Sequence, residues 1–421
     1  MSHQGKLPQD IGPDNTVAFL NEGFLFISNR REKFKYDIFE TRLLGGKKVI
    51  CMAGKEAAEV FYDNNKFKRE GAAPERILNT LFGQDGVQTL DGKAHKHRKS
   101  MFMNFMSKNA LKDISQRVEK KWMEALYDWE TKETIVFYDE MKKILTAAAC
   151  EWVGIPSQHF RVDTLSEQLS DMYEAAEKVG MKHYKGDQSR QKVEAWLEEL
   201  IEGMRDEQEV NAEPTPFHEI ATHLDEEGNL LSKHAAAVEV LNLLRPITAI
   251  SVYVALSVLA LHRYKKETDK LLVGNNHDYK MFVQEIRRFY PFFPVAPAVV
   301  KENFLFDGNE FEEGTLVLLD LYGNNHLPDL WEDPEAFNPA RFENWDGSPF
   351  DFIPQGGGDY MTGHRCAGEW LTVEVLQTCI DILINKMDYT LPEQNFKLRM
   401  NRMPSIPKSK IIMKYVAARE A

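Results

Sequence analysis

One cysteine in this chain has neighbours that give a thiol something to do. Cys366 lies in the stretch Phe352–Glu369, FIPQGGGDYMTGHRCAGE. Gly356, Gly357 and Gly358 allow a tight turn and close approach to a flat partner. Gly363 precedes the cysteine and Gly368 follows it, which predicts an exposed bend of backbone. Just downstream, EWLTVEVLQTCIDILI carries apolar residues at helical spacing from Leu371 to Ile384. A thiol at the mouth of a helix gains from the positive end of the dipole, which favours thiolate. A thiolate on a glycine-rich loop feeding an apolar helix is one way a protein holds haem iron by sulfur. Cys51, Cys150 and Cys379 sit in apolar runs without such flanks and read as small buried hydrophobes.

The second chemical pair is Arg245-Pro246. It falls inside Ser232–His262, SKHAAAVEVLNLLRPITAISVYVALSVLALH, a long apolar helix with Ser232 as its N-cap. Its apolar part after Pro246 is shorter than the ~18–20 residues a membrane span needs, and Glu239, Asn242 and Arg245 interrupt its front half. A core helix is the better reading. An arginine in such a helix is costly unless an anion meets it. The proline beside it removes a backbone donor and opens room on one face. The anion is either a nearby Asp or Glu or a bound ligand.

The remaining chain must position these groups. A length of 421 residues allows two average domains or one large one, and 43% hydrophobic content is ample for a core. A net charge of −13 argues against nucleic acid and against docking to an anionic membrane. Four irregularly spaced cysteines and a polar N-terminus without signal-peptide character point to a reducing cytoplasm. Residues 1–15 read as a loose arm, and Lys47–Gly54 as a strand followed by a helix through KEAAEVFYD. A helix rich in basic residues starts near Ala94. From Lys108 to Met204 the pattern is amphipathic helix, broken at Gly154-Ile155-Pro156 and by a loop KHYKGDQ. Asp206–Pro216 is linker-like. Short β-type runs fill the region after Tyr290 and the C-terminal segment from Tyr389.

Three separated motifs make a set: Glu285–Arg288 (EIRR), Phe337–Phe342 (FNPARF) and the Cys366 loop. Glu285 and Arg288 share a helix face. This set resembles the cytochrome P-450 superfamily, in which the glutamate–arginine pair locks onto the later arginine, here Arg341. The resemblance runs from Lys47 to the C-terminal strands. The superfamily's usual cysteine loop has its phenylalanine seven residues before the cysteine, whereas Phe352 is fourteen before. That longer loop, Arg245-Pro246 and LFGQDGVQTLDGKAH resemble one branch, the bacterial fatty-acid peroxygenases, which include alkene-forming decarboxylases.

The resemblance implies a mainly α fold with small β-sheets, a single haem-enclosing unit over 1–421, and haem b on the Cys366 thiolate. Arg69, His95, Arg98 and Arg365 are implied cofactor-binding residues, as cationic donors suit propionates. The superfamily's acid–threonine pair is replaced by Arg245-Pro246, and Thr248 does not restore it. A long-chain fatty acid would then pair its carboxylate with Arg245, its chain passing Phe82 and Phe292. That carboxylate would carry the proton between the two oxygens of hydrogen peroxide, the co-substrate. Gln88, where the branch has glutamine or histidine, inclines the product towards 2- and 3-hydroxylation, with decarboxylation to terminal alkenes beside it. No reductase is expected. The rival readings are a redox-partner-dependent monooxygenase and a non-enzymatic haem or fatty-acid sensor.

Overall fold

Helix boundaries follow capping chemistry. The computed structural model describes residues 6–175, 181–206 and 214–419. Ser107 Oγ accepts from Ala110 N–H at the start of Lys108–Glu130, and Ser232 Oγ accepts from Ala235 N–H at the start of Lys233–Arg263. Asn275 and Asp278 form a reciprocal capping box ahead of Asn276–Phe289. Each cap satisfies donors that a helix start otherwise leaves orphaned.

The helix Lys233–Arg263 is the spine of a mainly helical fold, buried along nearly its whole length. It packs against Phe137–Val153, Met181–Asp206 and Glu369–Asp381. Among the described residues it is the one helix apolar and long enough to cross a membrane, and its apolar stretch lies inside the protein.

A five-stranded sheet stands to one side, ordered Ile38–Leu43, Lys47–Met52, Leu316–Asp320, Val295–Val300, Phe67–Lys68. Only Lys47–Met52 with Leu316–Asp320 is parallel. A second sheet joins Thr134–Val136, Ile412–Ala418 and Met387–Thr390, and Phe304–Phe306 forms a hairpin with Asn309–Phe311.

Three local expectations need correction. The described part of the N-terminal arm is tied down, because Pro8 and Asp10 exchange backbone bonds with Glu40, and Asn15 N–H reaches Arg42 O. KHYKGDQ is helical, within Met181–Asp206. Its Gly186 serves packing, not a turn: a Cβ there would sit 2.5 Å from Ala175 Cβ. The C-terminal segment holds two strands with irregular chain between them. Most of Asp206–Pro216 lies outside the described residues.

Candidate active site

The Cys366 loop is held by two buried ion-pair systems. Cys366 N–H donates to Gln355 O at 3.1 Å, and Gln355 Nε2 lies 3.8 Å from the sulfur. Arg287 donates to Gln355 Oε1 at 3.1 Å and to Glu369 Oε1 at 2.6 Å. Behind it, Glu285 bonds Arg288 twice at 2.8 Å and Arg341 at 3.2 Å, as the motif spacing predicts. Glycine is needed in the loop for conformation and space. Gly356 and Gly358 have φ of +88° and +81°, and a Cβ on Gly357 would lie 2.5 Å from Pro349 O.

The helix after the loop begins at Glu369, with Gly368 as N-cap. The expected thiolate preference is not met by the protein alone. Burial pushes the Cys366 thiol up, and Lys99 and the Gly368 N–H only partly oppose this. A metal cation at the sulfur is what would reverse the balance. The other three cysteines are fully buried, and their thiols are pushed higher still.

Arg365 lines the cavity, but its guanidinium is already engaged. Its Nε and Nη2 grip Glu369 at 2.6 and 3.1 Å, one helical turn ahead, so the carboxylate claims it first. Arg98 is diverted in the same way, donating to buried Glu239 at 2.7 Å. Arg69 and His95 do line the cavity. Arg69 lies over the Phe61 ring at 4.4 Å and has no carboxylate partner among the described residues. His95 is 3% exposed and stacks on His364 at 3.8 Å. Burial brings its pKa down to about 3, so it is a neutral donor. Lys99 joins them, its Nζ bonded to Arg365 O. Lys99 and His364 were missed in the sequence because basic residues crowd both segments and their order does not show which turn inwards.

Across the cavity, Arg245 is 5% exposed. Its Nη2 donates to Asn242 Oδ1 at 3.4 Å, and its Nε has no partner. No carboxylate comes within ion-pair range of it among the described residues. Burial and the neighbouring Arg190 bring its pKa down to about 9. Pro246 lines the cavity beside it. Thr248 faces away, bonded to Thr146 Oγ1 at 3.0 Å and to Leu244 O at 3.0 Å. Gln88 lines the cavity, with its Oε1 accepting from Asn242 Nδ2 at 3.2 Å.

These groups face one cavity of ≈ 350 Å³, walled by Phe82, Leu243, Ile247, Phe292 and Met403. Phe292 stacks on Tyr253 at 4.3 Å. A depression lined by Arg263 and Glu393–Leu398 is shallow and shares none of these residues. The donor set fits a haem: a sulfur facing the cavity, and Arg69, His95 and Lys99 without carboxylate partners of their own to meet two propionates.

Comparison with known proteins agrees with this geometry. Residues 279–415 match the family model Cytochrome P450. Cytochrome P450 26A1 of Danio rerio is 23% identical over 412 residues, covering 88% of this chain and 83% of its own. Among solved structures, cytochrome P450EX alpha (CYP152N1) with myristic acid is 44% identical, with a TM-score of 0.94 over 99% of this chain and 100% of that one. Cytochrome P450SP alpha (CYP152B1) with (R)-ibuprophen is 41% identical, with a TM-score of 0.93 over 96% and 99%. Cytochrome P450 OleT with arachidonic acid is 34% identical, with a TM-score of 0.94 over 99% and 100%. The chain belongs to the cytochrome P450 family, on the branch of the CYP152 fatty-acid peroxygenases, and is a haem-thiolate oxidoreductase.

Proposed function

We propose that this protein oxidises long-chain fatty acids with hydrogen peroxide, hydroxylating them at carbon 2 or 3 and releasing terminal alkenes by decarboxylation as an accompanying route. The observation that carries this is Arg245, a buried cation facing the cavity with no carboxylate of the protein to meet it. Relatives crystallised with myristic and arachidonic acids support an acid headgroup as its partner.

Haem, when bound, supplies the peroxide-splitting and C–H-oxidising chemistry. Cys366 is the iron ligand, its loop set by Gln355, Arg287 and Glu369. Arg69, His95 and Lys99 hold the propionates. Arg245 binds the fatty-acid carboxylate through its free Nε edge, and Phe82 and Phe292 guide the chain. Holding the acid there leaves only its first carbons near the reacting centre. Thr248 is turned away and supplies no hydroxyl for the proton. The carboxylate held at Arg245 takes that part, accepting a proton on one oxygen and returning it. Gln88 directs a side-chain amide at the same space, which favours hydroxylation. Residues 1–421 act as one haem-enclosing unit, since the groups facing the cavity come from Tyr62 through Pro404.

The test is turnover of a saturated fatty acid with peroxide alone, with products identified by mass spectrometry. Hydroxy acids and alkenes are expected, and Arg245→Ala should abolish them. Turnover only with a reductase and a reduced nicotinamide would mean a monooxygenase. Binding without product would mean a sensor.

A further inference from the structure

The polarity of the cavity beside Arg245 is set by a residue that does not line it. Glu239 is 0% exposed, and an ionised carboxylate can only accept. Its Oε1 takes Arg98 Nη1 at 2.7 Å and Val87 N–H at 2.9 Å, and its Oε2 takes Asn242 Nδ2 at 2.8 Å. With Nδ2 drawn to Glu239, the Asn242 amide has one orientation. Its second hydrogen meets Gln88 Oε1 at 3.2 Å, and its Oδ1 is left for Arg245 Nη2 at 3.4 Å. Gln88 then has its oxygen taken and only Nε2 to offer. Arg245 has no acceptor at all. At this end of the cavity Arg245 and Gln88 therefore offer donors, and the Asn242 oxygen is turned onto Arg245.

We propose that Glu239, paired with Arg98, is a positioning residue that orients the Asn242 and Gln88 amides so that Gln88 and Arg245 offer only donors to a headgroup, and thereby selects a carboxylate headgroup over an alcohol of the same chain length. This rests on Arg245 being the carboxylate's partner. Glu239→Gln keeps the shape, turns one acceptor into a donor and removes the charge that pairs with Arg98. The new amide can donate to Asn242 Oδ1, which turns Nδ2 towards Arg245 and frees Gln88 to expose its oxygen.

The experiment titrates the haem-loaded enzyme with a saturated fatty acid and with the matching primary alcohol, following the haem absorbance. The wild type should favour the acid. Glu239→Gln should weaken acid binding by about tenfold or more, roughly one buried hydrogen bond reversed, and leave the alcohol within about threefold. Arg98→Met/Glu239→Gln removes the ion pair as a unit and should show the same loss of preference. Equal weakening of acid and alcohol, or recovery of the preference in the double variant, would overturn the proposal, because the effect would then be a stranded charge. If neither variant takes up haem, Asn242→Leu leaves the Arg98–Glu239 ion pair in place, removes the amide between Glu239 and Arg245, and reads the same ratio: a lost preference supports the proposal and a retained one refutes it. A wild type indifferent to the acid group would instead refute Arg245 as the carboxylate's partner.

Discussion

Arg245→Met should move stability and binding in opposite directions. In the ligand-free protein the guanidinium is buried, its side-chain partner is Asn242 at 3.4 Å, and its pKa is down to about 9. A depression of roughly three to four pH units, at ~1.4 kcal/mol each, puts the cost of the charge at ~5 kcal/mol. Below about pH 9 folded and unfolded chains both carry the proton, so the cost is constant across the neutral range. It eases only as pH climbs from about 9 towards the free guanidinium's value. Methionine removes the charge and keeps most of the stem. The lost hydrogen bond and the small void cost ~1–3 kcal/mol. The variant should gain a few kcal/mol, seen as a Tm rise of a few degrees in the acid-free holoenzyme.

Fatty acid narrows the gap. Removing one partner of a buried charge pair costs ~2–5 kcal/mol, a loss in affinity of ~30-fold to several thousand-fold. Acid at a hundred times the wild type's Kd adds ~2.7 kcal/mol to the wild type and at most ~1 kcal/mol to the variant. The assay is a thermal melt followed by haem absorbance, with and without a saturated fatty acid. A variant less stable than wild type without acid, or one stabilised equally by acid, would refute the reasoning.

Other perturbations test the frame around the site. Glu285→Ala leaves Arg288 and Arg341 buried without their carboxylate and should cost ~3–5 kcal/mol, measured as haem loss at lower urea. Gly357→Ala forces a Cβ against Pro349 O at 2.5 Å and should cost ~1–3 kcal/mol, weakening the carbon monoxide difference spectrum. Asp320, fully buried, has its carboxyl raised to about 6 by desolvation while it caps Gly323 N–H at 2.7 Å. Between the unfolded value and 6 the native state binds more protons, so this group's stability contribution falls as pH rises through that window. Asp320→Asn keeps the cap and should stabilise by up to ~3 kcal/mol at pH 8 but little below pH 4, read from paired urea melts.

Much of the frame was legible because its signals are local. Ser232 before an apolar run, Glu285 and Arg288 one turn apart, and glycines at turns each state their physics within a few residues. The failures have one cause, a partner distant in sequence. Gly186 reads as a loop signal until Ala175 is packed against it, and Pro8 and Asp10 read as loose until Glu40 is beside them. The strand Thr134–Val136 has only three residues and depends on Ile412–Ala418, so no periodicity reveals it.

The site divides along the same line. Arg245 was legible because an unpaired charge in an apolar helix is expensive wherever its neighbours lie. Arg98 and Arg365 are cations of the same kind, but each has a carboxylate within reach, Glu239 and Glu369. Which arginine stays free is a question of neighbours, and for Arg98 the answer lies 141 residues away. Composition marks a cation as available, and only packing shows whether it is already taken. In this protein Glu239 and Glu369 neutralise Arg98 and Arg365, and of these three arginines that leaves Arg245 facing the cavity without a carboxylate.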